Sequence, residues 1–199
     1  ETTMRHPKRG FIKLEDTGAG DYARTMGAMG GDTSYLFQVV NRNKKSLRLD
    51  LKHPDGKALF LRLVAGADAV VEGFRPGVMD RLGLGYEALA AINPRLVYCS
   101  ITGYGQIGPY ALRAGHDVNY IGYAGVLDQI GTAGGAPAIP NLQIGDLLGG
   151  TMTAVMGMLM ALIDARGSGR GRHVDVSMTD AALAHAIFPL VEVLAHGGV

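Results

Sequence analysis

The chain has 199 residues, a formal net charge of +1, and 47% hydrophobic against 19% charged residues. That balance belongs to a globular chain rather than a disordered one, and a near-neutral charge leaves no nucleic-acid footprint. A single cysteine, Cys99 in an apolar run, excludes an internal disulfide framework and a cysteine metal cluster.

Taken in chain order, Glu1 to Gly10 is charged and lacks the pattern of a signal peptide, so it reads as a disordered or non-native lead. With the lone thiol, this points to a reducing cytoplasm. Phe11 to Glu15 alternates as a strand, and Thr17 to Asp32, rich in Gly and Met, reads as a long loop. Ser46 to Asp50 is a second alternating strand. Pro54 opens a helix over Asp55 to Ala65, since a proline fits the first helical turn, where its missing N–H is not needed. Ala69 to Val71 is a short apolar strand, followed by the turn Arg75-Pro76-Gly77. Tyr86 to Ile92 reads as a helix stopped by Asn93-Pro94, and Leu96 to Ile101 as another apolar strand. Helices are expected over Asp117 to Leu127 and Gly145 to Arg166, a strand over His173 to Ser177, and one last helix over Thr179 to Ala195.

Strands in apolar runs that alternate with helices define an α/β domain, Rossmann-like, with a largely parallel sheet covered on both faces. The start close to a strand and the stop at a helix suggest an incomplete domain, truncated at both ends. Leu147 to Ile163 is 17 residues without a charge. Interrupted by Gly149, Gly150, Thr151, Thr153 and Gly157, it reads as a buried helix rather than a membrane span.

Three features bear on chemistry. Gly103 to Gly108 matches G-x-G-x-x-G after a strand, but Pro109 follows at once and no acidic residue closes a following strand. A nicotinamide or flavin site is therefore disfavoured. His116 and Asp146 each follow a glycine and each open a helix. Unpaired N–H groups and a positive dipole end there keep a carboxylate ionised and can hold a developing oxyanion. The alternative readings are a plain helix cap for Asp146 and a polar loop residue for His116, and a metal site lacks a third ligand nearby. The basic run Arg42, Lys44, Lys45, Arg48 and Lys52 is either a solvated face or a phosphate contact, and Arg75 with Arg81 is a second phosphate candidate.

On several longer motifs the chain resembles the family III CoA-transferase superfamily. These are Asn43 to Lys52, Glu72 to Gly83, Asn93 to Tyr98, Gly145-Asp146, and Gly169 to Met178. Within that superfamily, Ala114-Gly115-His116-Asp117-Val118-Asn119-Tyr120 and Pro140-Asn141-Leu142 are similar to the α-methylacyl-CoA racemase branch. Transferases typically carry a non-basic residue at the position of His116. The resemblance implies that residues 11–199 form part of a CoA-binding large domain. It also implies an isomerase that interconverts R and S 2-methylacyl-CoA through an enolate. His116 would serve the S face and Asp146 the R face, trading the roles of acid and base. Leu49, Lys52, Phe74, Arg75 and Arg81 are expected to bind the CoA moiety, with Gly115, Asp117 and Tyr120 near the thioester. No cofactor beyond the substrate's own CoA, no metal and no membrane are implied, and the full-length protein is expected to be an interlocked homodimer. The racemases also have a first strand–loop–helix that cradles CoA and a glutamate that supports the histidine. Both are expected to lie outside the stretch matched here. The alternatives are a CoA-transferase with Asp146 as acyl-accepting nucleophile and a non-catalytic CoA-binding fragment.

Overall fold

The computed structural model describes residues 2–8 and 10–197. They fall into two compact units, one built from the residues up to Gly73, Val78–Tyr98 and Ala161–His173. The other is built from Phe74–Gly77, Cys99–Met160 and the residues from Val174 onward. The class is α/β, as the alternation of apolar strands and helices implies.

The first unit opens with β1 (Thr2–His6) and β2 (Gly10–Glu15). A small hairpin of β3 (Met29–Gly30) and β4 (Thr33–Ser34) follows, leading into helix α1 (Tyr35–Val40). Next come β5 (Lys44–Arg48), α2 (Pro54–Val64), β6 (Ala69–Glu72), α3 (Val78–Arg81) and α4 (Tyr86–Ile92). Its strands lie in the order β5-β2-β1-β6. β2 and β5 are parallel, with Leu14 opposite Leu47, whereas β1 runs antiparallel to both of its neighbours. The stretch expected to be a disordered lead is thus largely a strand. The reason is Met4, fully buried and set opposite Ile12 on one side and Val70 on the other. Burial of that side chain on a doubly paired strand outweighs the polar look of its neighbours. This strand also makes the sheet mixed.

The helices of this unit form for local reasons. Pro54 occupies the first turn of α2, and Gly56, Phe60 and Val64, spaced by four, form its buried face. Asn93, which ends α4, donates its side-chain amide to the carbonyl oxygens of Val64 (3.0 Å) and Ala67 (2.8 Å). The side chain therefore closes the C-terminal end of α2, while the Asn93 backbone N–H closes α4 on the Leu89 carbonyl. Gly171 approaches the backbone of Leu96 so closely that a Cβ would overlap its carbonyl group, which makes glycine obligatory in that turn.

A charged network is buried between β2 and the turn Tyr22–Thr25. Lys13 Nζ pairs with Asp21 at 2.7 Å, both side chains about 5% exposed. Arg24 donates twice to Glu15, at 2.7 and 2.8 Å, and Ser46 Oγ donates to the same carboxylate at 2.6 Å. The Arg24 hydrogen bonds hold the Glu15 carboxyl at about 2, against an opposing push from burial.

In the second unit, β7 (Val97–Thr102), which begins in the first, carries fully buried Cys99 and lies beside β8 (His173–Ser177). Helix α5 (Asp117–Tyr123) is followed by a short turn at Leu127–Gln129. Ile144–Met152 is wound as a π-helix and runs directly into α6 (Thr153–Ser168), whose residues from Ala161 on belong to the first unit. Helices α7 (Met178–His185) and α8 (Ile187–His196) complete the unit. They replace the single last helix expected from the sequence and meet at a bend of 78°. Pro189 accounts for the break: a continuous helix would need its N–H for the carbonyl of His185, and its ring would clash there.

The continuous helix Ile144–Ser168 has 25 residues, is long and apolar enough to cross a membrane, and is only 22% buried over its most apolar window. Leu159, Met160 and Ile163 are 55, 67 and 70% exposed. The expectation of a buried helix is therefore not met among the described residues.

Candidate functional site

The site lies in the second unit and starts at the end of β7. The Gly103 carbonyl accepts from the backbone N–H (3.1 Å) and the hydroxyl (2.8 Å) of Thr179, which pins the strand end to the start of α7. The chain then loops back to α5 across the ring of Tyr120. A Cβ on Gly115 would come within 2.7 Å of that ring, and one on Gly103 would overlap it. The Tyr120 hydroxyl donates to the Gly115 carbonyl. Two glycines and one tyrosine thus clamp both ends of the loop that delivers His116.

The same loop holds the Gly103 to Gly108 stretch. No helix opens after it; Gly108 adopts a φ of +101° and Pro109 follows. It is packed instead by aromatic rings. Tyr104 meets Tyr120 edge-on at 5.4 Å and Tyr123 at 5.8 Å, and Tyr110 lies 5.1 Å from Tyr123. The Arg113 guanidinium sits 4.3 Å above the Tyr110 ring. Such pairs add about 0.5–1.5 kcal/mol each beyond burial.

His116 is the N-cap of α5, with an exposed side chain. Its backbone N–H donates to Asn119 Oδ1 at 3.0 Å, the reach-back of a capping box. Asp117, the first helical residue, uses its carboxylate elsewhere: Oδ1 accepts the backbone N–H of Asp146 at 2.8 Å. That bond joins the start of α5 to the start of the π-helix. Gly145 makes the approach possible, since a Cβ there would stand 3.2 Å from both Asp117 Oδ1 and Tyr120 Cβ.

Asp146 is half-buried, and burial raises its proton affinity. The neighbouring Asp117 carboxylate raises it further, while His116 opposes both. Burial also pushes the Tyr120 phenol up to about 12, with Asp146 the next contributor. A carboxylate with raised affinity for its proton, beside an exposed imidazole, is an acid/base pair suited to moving a proton to and from carbon. π-helical turns occur frequently at functional positions, and this one carries Asp146.

Of the residues singled out from the sequence, the second unit holds His116, Asp146, Gly115, Asp117, Tyr120, Phe74 and Arg75. Hydrogen bonds and close approaches link Gly115, Asp117, Tyr120 and Asp146 directly. Leu49, Lys52 and Arg81 belong to the first unit, where Leu49 N–H donates to the Glu15 carbonyl and Lys52 and Arg81 are exposed. Asn119 was named only within the Ala114 to Tyr120 motif, and Tyr104 was given no role. Asparagine three residues after a helix-opening position was a legible signal for Asn119; nothing in the spacing marked Tyr104. No group of three or more His, Cys, Asp or Glu among the described residues is arranged to hold a metal.

Comparison with known proteins agrees with the longer motifs. The family model described as CoA-transferase family III matches residues 11–199. Acetyl-CoA:oxalate CoA-transferase of Acetobacter aceti is 44% identical over 87% of this chain and 44% of its own length. Alpha-methylacyl-CoA racemase of Homo sapiens is 43% identical over 73% of this chain and 38% of its own. The crystal structure of a CAIB/BAIF family protein from Brucella suis superposes with a TM-score of 0.87 at 37% identity, covering 94% of this chain and 50% of that one. The chain spans less than half the length of either enzyme.

Proposed function

Because the chain belongs to CoA-transferase family III, we propose that the full-length protein acts on acyl-CoA thioesters. Within that class, we propose that it interconverts R and S 2-methylacyl-CoA by two-base proton transfer at C2. The observation that carries this reading is the pairing of His116 with Asp146 at two joined helix starts, with the proton affinity of Asp146 raised by burial. One group removes the C2 proton while the other returns a proton to the opposite face, and the roles exchange with direction. The C2 proton is far less acidic than either conjugate acid, so the enolate oxygen needs stabilisation. Backbone N–H groups at helix starts suit that task where they are not already engaged, as that of Asp146 is by Asp117.

Under this reading Leu49, Lys52, Phe74, Arg75 and Arg81 hold the CoA moiety, and Gly115, Asp117 and Tyr120 line the thioester. The only cofactor chemistry is that of the substrate's own CoA. We further propose a cytoplasmic homodimer of full-length chains. The exposed apolar faces of Ile144–Ser168 and α8, where Phe188 is 85% and Leu194 76% exposed, favour contact with further protein surface.

A second reading is CoA transfer, with Asp146 taking the acyl group as a mixed anhydride. The 44% identity to the oxalate transferase supports it. The test is incubation of the full-length protein with each enantiomer of a 2-methylacyl-CoA in deuterated water. Deuterium entering C2 from both enantiomers is the expected result. No exchange, together with CoA transfer to a free carboxylic acid, overturns the racemase reading in favour of the transferase.

A further inference from the structure

We propose that Asp117 is a positioning residue that acts through Asp146: its carboxylate holds the start of the π-helix against the start of α5, so that the Asp146 side chain stands beside His116. The inference rests on the proposed acid/base role of Asp146 and goes beyond it, since the sequence marks Asp117 only as a thioester neighbour.

Three observations converge. The first is the hydrogen bond itself, from Asp146 N–H to Asp117 Oδ1 at 2.8 Å, across 29 residues of chain. It satisfies an amide in the first turn of a helix, a group with no partner inside that helix. The second is Gly145. A Cβ at this residue would press on Asp117 Oδ1 and Tyr120 Cβ at 3.2 Å and on the Asp117 carbonyl at 3.3 Å, so the two segments are as close as glycine permits. The third is that Asp117 is itself fixed. It is the first residue of α5, and the flanking turn is capped by Asn119 through His116 N–H. A fixed anion therefore grips the backbone of the residue next to it and faces its carboxylate. That like charge disfavours ionisation of Asp146 and makes it a stronger base.

The groups around Asp146 are few. From α5 they are His116, Asp117 and Tyr120. Helix α7, which also packs on the π-helix, presents Met178 at the contact, and its titratable residues Asp180 and His185 are exposed. Asp117 is the nearby negative charge that a substitution can remove while an oxygen acceptor stays in place.

The test uses the full-length protein with Asp117→Asn and Asp117→Ala. Asparagine can keep an oxygen on the Asp146 amide but drops the charge; alanine drops both. Two readouts are taken: the pH dependence of C2 deuterium exchange, and amide hydrogen exchange of the peptide spanning residues 144–150. For Asp117→Asn we expect protection near wild type, less than a tenfold loss of kcat, and an acid limb displaced to lower pH. For Asp117→Ala we expect lost protection and a kcat loss of at least about 100-fold with little change in KM, as a displacement near 1 Å at a reacting group entails. Circular dichroism of each variant identifies any that fails to fold, and Asp117→Asn then decides alone. Exchange and protection unchanged in the alanine variant overturn the proposal, as does an unmoved acid limb in the asparagine variant. If the wild type catalyses CoA transfer and no C2 exchange, the racemase reading fails. The amide protection and the transfer rates of the same variants then still decide the role of Asp117.

Discussion

Replacing Glu15 by Gln tests the buried ion network of the first unit. The side chain is fully buried and accepts from Arg24 twice, from Ser46 and from the Asp21 backbone. Its carboxyl is held at about 2 rather than 4.5. A pKa unit corresponds to about 1.4 kcal/mol, so the ionised carboxylate contributes on the order of 3 kcal/mol at neutral pH. The folded value lies below the unfolded one. The contribution is therefore complete above the unfolded value and is lost as pH falls towards the folded value. Between pH 7 and pH 3 about 2 kcal/mol of it should disappear. The chain has no tryptophan, so urea unfolding is followed by circular dichroism. The Gln variant should be less stable than wild type by about 3 kcal/mol at pH 7 and by only about 1 kcal/mol at pH 3. Taking the difference cancels the titration of groups common to both proteins. A gap that stays constant with pH, or is absent at pH 7, would refute the assignment of the stabilisation to ionised Glu15.

Three more outcomes are expected. His116→Ala in the full-length protein should lower C2 exchange by about 10²–10⁴-fold while CoA affinity, measured by calorimetry, changes little; a loss under tenfold contradicts its role. Gly171→Ala should cost about 1–3 kcal/mol, read as a lower thermal midpoint, because the new methyl overlaps the Leu96 carbonyl. In an ultraviolet titration one phenol should ionise near pH 12, a step that Tyr120→Phe removes. Because this folded value lies above the ordinary 10, stability should decline as pH rises from 10 towards 12; a Tyr120 that titrates near 10 contradicts the burial argument.

Much of the α/β pattern was legible because local signals and tertiary packing agree. Pro54 sets the start of α2 and Asn93-Pro94 the end of α4, and the Phe11 to Glu15 alternation marks β2. Elsewhere tertiary context overrode the local pattern. Lys13 and Glu15 look like the solvent side of a strand, yet both are buried because Asp21 and Arg24, in the following turn, pair with them. β1 was hidden by its polar composition; Met4 is its buried apolar anchor, and its value depends on pairing with the adjacent β2 and with β6, which is distant in sequence. The run Leu147 to Ile163 is apolar all round, and periodicity cannot say whether such a helix is covered within the same stretch of chain. In the site, His116 and Asp146 stood out as residues after glycines at helix starts. The Asp117 link did not, since no spacing rule connects residues 29 positions apart.

The winding of Ile144–Met152 also sets a gauge. Each residue in an α-helix advances the side-chain direction by about 100°, and a wider π turn advances it by less. Over the seven residues from Asp146 to Met152 that shortfall accumulates relative to the α-helical track of α6. The direction in which the carboxylate points is thus coupled to how many residues separate it from Thr153 and how tightly they are coiled. Tightening those turns to α winding would swing Asp146 around the helix axis without disturbing the Thr153–Ser168 cylinder behind it. The aim of one reacting group is stored in the pitch of the backbone, one step removed from any side-chain contact.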